Sequence, residues 1–488
     1  MKRPGTVGTL VIGGGPAGLA PLLAASRTDG LEALLERGLV VVERGPATGS
    51  GRLGRYAIAS DSSAETFLTA VADHPDPSLA LLAAHPIGRR IATYGRAAIP
   101  LSLAAAFLDL VGEAMSRRIA AHPRGGILTG HEAELVRRCA DGGWLAHVRA
   151  PTGDLVEIRA AGILFAAGGR SDGYEAAIVA GQRLSSLGDR LVHSDQVLDR
   201  AGLEAVRMRL STLQRPRVAV IGGSTSALSC LRVLLGSCGS MLEPGALTLL
   251  HRGRLVPWYR TELEAREDGY TAFGADDICP ISGMVHRFGG LRYESRDVVR
   301  GALGLGGLVL DPRVVLHRLD GQDDENARRI LAEADLVVAA VGYNPCLFPV
   351  LDERGLPIPL LADRPGMPLV GAGAGVLDRD GREIDGLFGI GLAAGFRPPA
   401  SFGGEVSFKG QVNGLWLWQN DVGRMIADKL LAAASDDERA GRNDATAFEA
   451  SIRPSLAAAA RLTGGSVGSV ASARRASASS FGSRSAAP

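Results

Sequence analysis

Three spaced glycines and one acid carry the most chemistry in this chain. In "VIGGGPAGLA" an apolar run, residues 10–12, enters Gly13-x-Gly15-x-x-Gly18, with Pro16 and Ala17 between the last two glycines. A second apolar run, "LVVVERG", then ends on Glu43. Such an order suits a dinucleotide. Gly13 permits a tight turn, Gly15 lets backbone approach a pyrophosphate, and Gly18 lets helix and strand pack closely. The helix that opens there presents N–H groups and positive dipole to phosphate. Glu43 can accept from a ribose diol. It lies further along than the usual ~20 residues, an interval filled by a helix predicted over residues 16–36. Pro21 falls inside that helix, where it removes a hydrogen bond.

A second unit of the same kind begins at "RVAVIGGSTSALSCLRVLL", residues 217–235. Its turn reads Gly222-x-Ser224-x-x-Ala227, with Ser226 inside it, so a serine stands where the middle glycine would. Its next strand, "ALTLLHRGR", ends with His251, Arg252 and Arg254 instead of an acid. A cation there is what a 2′-phosphate needs, which favours NADPH over NADH. Arg252 is the expected contact, and Arg254 the alternative.

The elements that must hold these turns follow from the rest of the pattern. Residues 45–63 are glycine-rich and aperiodic, and helical spacing runs over 101–119. A small antiparallel meander is expected across 126–160, built from "GILTG", "WLAHVRA" and "LVEIRA". "GILFAAGG" then returns to the first parallel sheet. Residues 170–216 read as a mixed connector, in which His193 and Ser194 are lone polar residues and not a catalytic pair. "ADLVVAAVGYNP" closes the second unit. A single helix over 413–431 is expected to turn only one of Trp416 and Trp418 squarely to the core. The fold class is α/β, with two Rossmann-like dinucleotide-binding domains and the second inserted into the first. The expected divisions are 1–200, 210–345 and 346–435, with a disordered tail over 464–488, where Ser, Ala, Gly and Arg leave nothing to bury.

Composition excludes several classes. The chain has 488 residues, 46% hydrophobic and 22% charged, with a formal net charge of +1. No global field draws in nucleic acid or an anionic membrane. The apolar run near the N-terminus is interrupted by the glycine turn, and nothing else approaches a membrane span. Five scattered cysteines, without C-x-x-C, suit a reducing cytoplasm and exclude a disulfide scaffold. They also exclude disulfide-reductase chemistry. No metal site is expected. A monomer and a homo-oligomer are both compatible with this composition.

Over about residues 5–430 the chain resembles the two-dinucleotide-binding-domain flavoproteins. Within them it is most similar to the single-component FAD/NADPH monooxygenases, nearest to the amine N-hydroxylases. "SDSSAETFLTAVADHPDPS" is similar to the segment after the flavin-ribose acid, "GDRLVHSDQVL" to a His-Ser connector, and "DLVVAAVGYNP" to the element between the domains. The resemblance implies FAD on the first unit, with Gly391 beside the flavin, and NADPH on the second. It implies a C4a-hydroperoxyflavin that hydroxylates a small nitrogen- or sulfur-bearing metabolite, with O2 as co-substrate. It also puts the final helix at the flavin pyrimidine, making Lys409 a candidate to stabilise the reduced flavin. The Baeyer–Villiger signature is absent, and "SFGGEVSFKGQVNGLWLWQND" replaces the Asn-His-Gly-Leu-Ser element. Leu392 follows Gly391 where many disulfide reductases carry an aspartate. A flavin reductase or oxidase without oxygen insertion, or a non-enzymatic FAD-bound scaffold, are the alternatives.

Overall fold

The structure, a computed structural model, describes residues 5–439; the tail expected over 464–488 lies outside them. The first strand, β1 (Gly5–Ile12), and β2 (Leu39–Glu43) pair in parallel, with Ile12 opposite Val42. Leu10, Val11 and the apolar residues of β2 are completely or almost completely buried, each worth about 1.5–3 kcal/mol relative to exposure. Between them the single helix expected over 16–36 is two: α1 (Pro16–Ala25) and α2 (Gly30–Glu36). Residues 26–29 break it, because Ser26 and Thr28 turn their hydroxyls back to the Leu23 and Ala25 carbonyls at 2.9 and 3.1 Å. Pro21 sits buried inside α1, and nothing in the structure gives it a function.

The end of the stretch expected to be aperiodic, 45–63, is a strand, β3 (Ala59–Ser63), which pairs with β4 (Ala98–Pro100), and helix α3 (Ala64–Thr69) follows β3 directly. The helix Leu101–Ala121 matches the helical spacing. The meander needs correction. "GILTG" is β5 (Gly125–Thr129), which extends the parallel sheet beside β2. The antiparallel strands are β6 (Glu132–Arg138), β7 (Trp144–Arg149) and β8 (Leu155–Phe165). β6 is half-exposed and charge-rich, which hides its alternation. β8 joins the last meander strand and the returning buried strand into one: residues 155–160 pair with β7, and all but its extreme start lies beside β1 in parallel.

The second unit is a separate parallel sheet. Its strand order among the described residues is Leu191–His193, Leu336–Ala339, Val218–Ile221, Leu247–His251, Val314–Arg318. The connector therefore supplies an edge strand and the helices Ser194–Leu198 and Arg200–Ser211. The chain then returns: strand Glu383–Gly389 pairs in parallel with the end of β8. The final helix is also two, Leu415–Gln419 and Asp421–Arg439, parted at Asn420, whose φ −127° and ψ −101° are not helical. Trp418 packs on the first core and Trp416 stays exposed.

Candidate active site at the seam between two dinucleotide cradles

The two glycine turns are built alike. Gly13 N–H donates to the Val42 carbonyl at 2.8 Å and Gly222 N–H to Leu250 at 2.9 Å. Ala166 N–H donates to Ile12 and Ala340 N–H to Ile221, both at 2.8 Å. Both glycines need positive φ, +108° and +143°. A Cβ on either would lie 2.3–2.5 Å from the carbonyl of Ala166 or Ala340, so only glycine fits. Replacing the second glycine of the motif by Ser224 leaves the fold of this turn intact.

The first cradle fits a pyrophosphate. A Cβ at Gly18 would strike the Gly13 carbonyl at 1.8 Å, whereas one at Gly15 meets nothing within 4 Å. Gly18 is thus fixed by packing, and Gly15 borders open space at the N-terminus of α1. Pro16 and Ala17 open that helix, and Gly391, at φ +107°, brings the return segment against Ala17, leaving 2.9 Å between a built Cβ and the Ala17 Cβ. Glu43 accepts from Gly14 N–H at 2.7 Å and Gly45 N–H at 2.6 Å. These bonds fix its carboxylate at the end of β2, the position from which a ribose diol is reached. In the second cradle Ser224 caps the helix Thr225–Cys238 without a side-chain cap bond, so its hydroxyl is free for a ligand. Ser226 is half-buried and Ala227 fully buried beneath it. Arg252 is exposed beyond the next strand; Arg254 is engaged, donating to the Ala272 carbonyl at 2.7 Å.

The loops beyond the carboxyl ends of the two sheets meet. Asp195, buried, accepts from Tyr343 Oη at 2.7 Å and Tyr56 Oη at 2.9 Å, with Arg52 at 3.6 Å. Tyr56 belongs to the first unit, and Asp195 and Tyr343 follow strands of the second. Burial, with Asp195 beside it, pushes the Tyr56 hydroxyl up to about 12. His193 is a helix cap: its Nδ1 accepts from Asp195 N–H at 3.0 Å, and Gln196 accepts from His193 N–H. Burial lowers its pKa. Sequence spacing does not group Asp195, Tyr56 and Tyr343; the available signals were Asp195 directly after His193-Ser194 in the connector and Tyr343 in "DLVVAAVGYNP", while Tyr56 lies in the glycine-rich stretch over 45–63.

A strap joins the inserted unit to the return segment. Glu405, buried, accepts from Phe288 and Gly289 N–H at 3.0 and 2.7 Å, and Arg287 donates to the Phe402 carbonyl at 2.8 Å. Burial raises the Cys279 thiol, but donors from Ser282, Gly404 N–H and Arg287 outweigh it and bring it down to about 6. Lys409 lies just past this strap with its side chain exposed. Among the described residues it has no hydrogen bond or ion pair.

Two sheets, each with parallel strands that carry a glycine turn and both opening on one seam, define a dinucleotide-dependent α/β oxidoreductase. Over 442 residues the chain is 32% identical to the CMP-5′-(3-aminopropyl)phosphonate hydroxylase of Streptomyces rubellomurinus, covering 87% of this chain and 97% of that one. The chain belongs to the FAD- and NADPH-dependent class B flavin monooxygenases. Solved structures share the fold. Ornithine hydroxylase from Pseudomonas aeruginosa superposes with a TM-score of 0.52 at 14% identity, covering 88% of this chain and 99% of that one. L-lysine 6-monooxygenase from Pseudomonas syringae gives 0.51 at 16% identity with the same coverage. No protein-family model matches the chain. Among the described residues no helix is long and apolar enough to cross a membrane.

Proposed function

We propose that this enzyme N-hydroxylates the primary amine of a small phosphoryl-bearing metabolite, with FAD on the first cradle, NADPH on the second and O2 as co-substrate. The observation that carries this reading is the pairing of two intact cradles across one seam in a chain 32% identical to a hydroxylase of a nucleotide-linked aminopropyl phosphonate. Bound FAD, once reduced by NADPH, supplies the activated oxygen. The protein's part is to hold both nucleotides and the amine, and to exclude water. The open face at Gly15 and the Glu43 carboxylate support pyrophosphate and ribose binding; the free Ser224 hydroxyl and exposed Arg252 support NADPH. Residues 1–200 with 346–435 form the FAD domain in this reading, and 210–345 the NADPH domain. Free cysteines at all five positions suit the cytoplasm.

The test is direct. Purified enzyme, NADPH and air are given CMP-5′-(3-aminopropyl)phosphonate and, separately, ornithine. Hydroxylamine from the first compound supports the reading. NADPH consumption that yields only hydrogen peroxide with both would replace it by the reductase or oxidase reading.

A further inference from the structure

Residues 397–411 form a loop that leaves the first unit and reaches the second. Both ends are rooted in the first unit, where Val412 N–H donates to the carbonyl of the buried Phe396 at 2.8 Å. Shortly before Phe396, Gly391 stands against Ala17 in the first turn of α1. The root of the loop therefore lies beside the first cradle.

The far end of the loop is held by a buried carboxylate. Glu405 accepts from Phe288 N–H at 3.0 Å and from Gly289 N–H at 2.7 Å. Successive backbone N–H groups that face one acceptor make a concave anion site. A buried carboxylate is tolerated only when it is bonded in this way. Beside it, Ser407 N–H donates to the Asp276 carbonyl at 2.9 Å and Gly404 N–H meets Cys279 Sγ at 3.2 Å. Gly404, at φ +109°, lies against the Phe288 ring, which a Cβ there would strike at 2.5 Å. The loop and the second unit fit closely.

Phe288 and Gly289 belong to an insert between the strands Leu247–His251 and Val314–Arg318. From there a short path leads back to the second glycine turn. Leu291 N–H donates to the Val256 carbonyl at 2.8 Å, and Trp258 N–H to the Leu291 carbonyl at 2.9 Å. Leu255, next to Val256, packs on the turn itself: a Cβ built on Gly223 would lie 3.4 Å from Leu255 Cδ2. Glu405 thus ties a loop rooted at one cradle to an insert that supports the other.

We infer that Glu405 is a positioning residue: by pinning the insert to this loop it sets the second cradle against the first, and with it the approach of NADPH to the flavin. This rests on the placement of FAD on the first cradle and NADPH on the second. Glu405 acts only through the backbone of Phe288 and Gly289. Reduction of the flavin depends steeply on the alignment of donor and acceptor, and a misplacement of about 1 Å can cost roughly a hundredfold in rate.

The experiment compares wild type, Glu405→Gln and Glu405→Ala, each with its FAD content measured. Stopped-flow records anaerobic reduction of the flavin by NADPH and, separately, by dithionite, which needs no second cradle. Lys2, Lys409 and Lys429 are the lysines of the chain, so a lysine-specific protease reports opening of the loop by cutting after Lys409. Glu405→Ala should keep its FAD and its rate with dithionite. Its reduction by NADPH should slow by about tenfold or more, and cutting after Lys409 should quicken by about the same factor. Glu405→Gln, with one acceptor oxygen in place of two, should fall between. Slower reduction without faster cutting, or faster cutting with wild-type reduction, would overturn the assignment. Loss of FAD from both variants would also overturn it, by making the loop a support of the flavin site alone. Wild-type flavin that dithionite reduces and NADPH does not would overturn the cofactor placement and this assignment with it.

Discussion

Tyr343 Oη donates to Asp195 Oδ1 at 2.7 Å, and Tyr56, from the other unit, bonds the same oxygen at 2.9 Å. One buried carboxylate oxygen thus joins the loop after β2 to the element that closes the second sheet. Both tyrosines lose their acceptor if it is removed. Asp195→Ala should therefore destabilise the protein by about 1–3 kcal/mol, the range for leaving buried polar groups unpaired. Tyr343→Phe, which removes one donor, should cost about 1 kcal/mol. Denaturant titration checks both, and equal stability of all three proteins would contradict the role given to Asp195.

Gly15→Val should fold and lose FAD. A Cβ at Gly15 meets nothing within 4 Å, so the apoprotein has room for the branched side chain. The space it fills is where the pyrophosphate must lie. A yellow variant with full flavin content would remove FAD from this turn.

Arg252→Ala should weaken NADPH much more than NADH, by about 1.5–3 kcal/mol, the worth of a charge-assisted hydrogen bond. Arg254 is already engaged with the Ala272 carbonyl, so its alanine variant should discriminate less. Titration of each cofactor into the oxidised enzyme measures both. Identical affinities for NADPH and NADH in wild type would dismiss a 2′-phosphate contact.

Most of the fold is legible in the sequence wherever a glycine turn follows an apolar run. The ends of β1 (residues 10–12) and β2 (residues 39–42), the strand Val218–Ile221 and the strand Leu336–Ala339 are uninterrupted apolar runs buried on both faces, and nothing local competes with that signal. The helix breaks at residues 26–29 and at Asn420 are decided by short polar side chains bonding their own backbone and by one non-helical residue, which leave the apolar period almost undisturbed. β6 is hidden because an exposed strand shows charges on one face and little apolar alternation on the other. At the site, the glycines and Glu43 are readable because dinucleotide chemistry fixes their spacing along the chain. Asp195, Tyr56 and Tyr343 are not, since their partners are brought from 139 or more residues away.

Acid should reveal a cap in the second unit. Asp324 opens the helix Glu325–Glu333 and accepts from Asp320 N–H and Ala327 N–H, both at 2.9 Å, and from His317 at 2.7 Å. Those donors, the Asp320 N–H foremost, hold its carboxyl down to about 2 from an ordinary 3.8. A depressed folded-state pKa contributes stability that is fully present above pH 3.8 and is lost as pH falls from there through 2. Asp324→Ala should cost about 0.5–2 kcal/mol at pH 7. The gap between it and wild type should narrow as pH falls below 4. A gap that stays constant from pH 7 to 2.5 would show that the charge on Asp324 does not matter.

The central claim is that electrons from NADPH end in an N–O bond on an amine held at the seam. The measurement that tests it most directly is stoichiometric: NADPH consumed, hydroxylamine formed and hydrogen peroxide released, counted in one reaction with CMP-5′-(3-aminopropyl)phosphonate under air. The account predicts close to one hydroxylamine per NADPH, with peroxide as a minor product that rises when the amine is left out. NADPH turnover that gives peroxide alone, whatever amine is present, would contradict it.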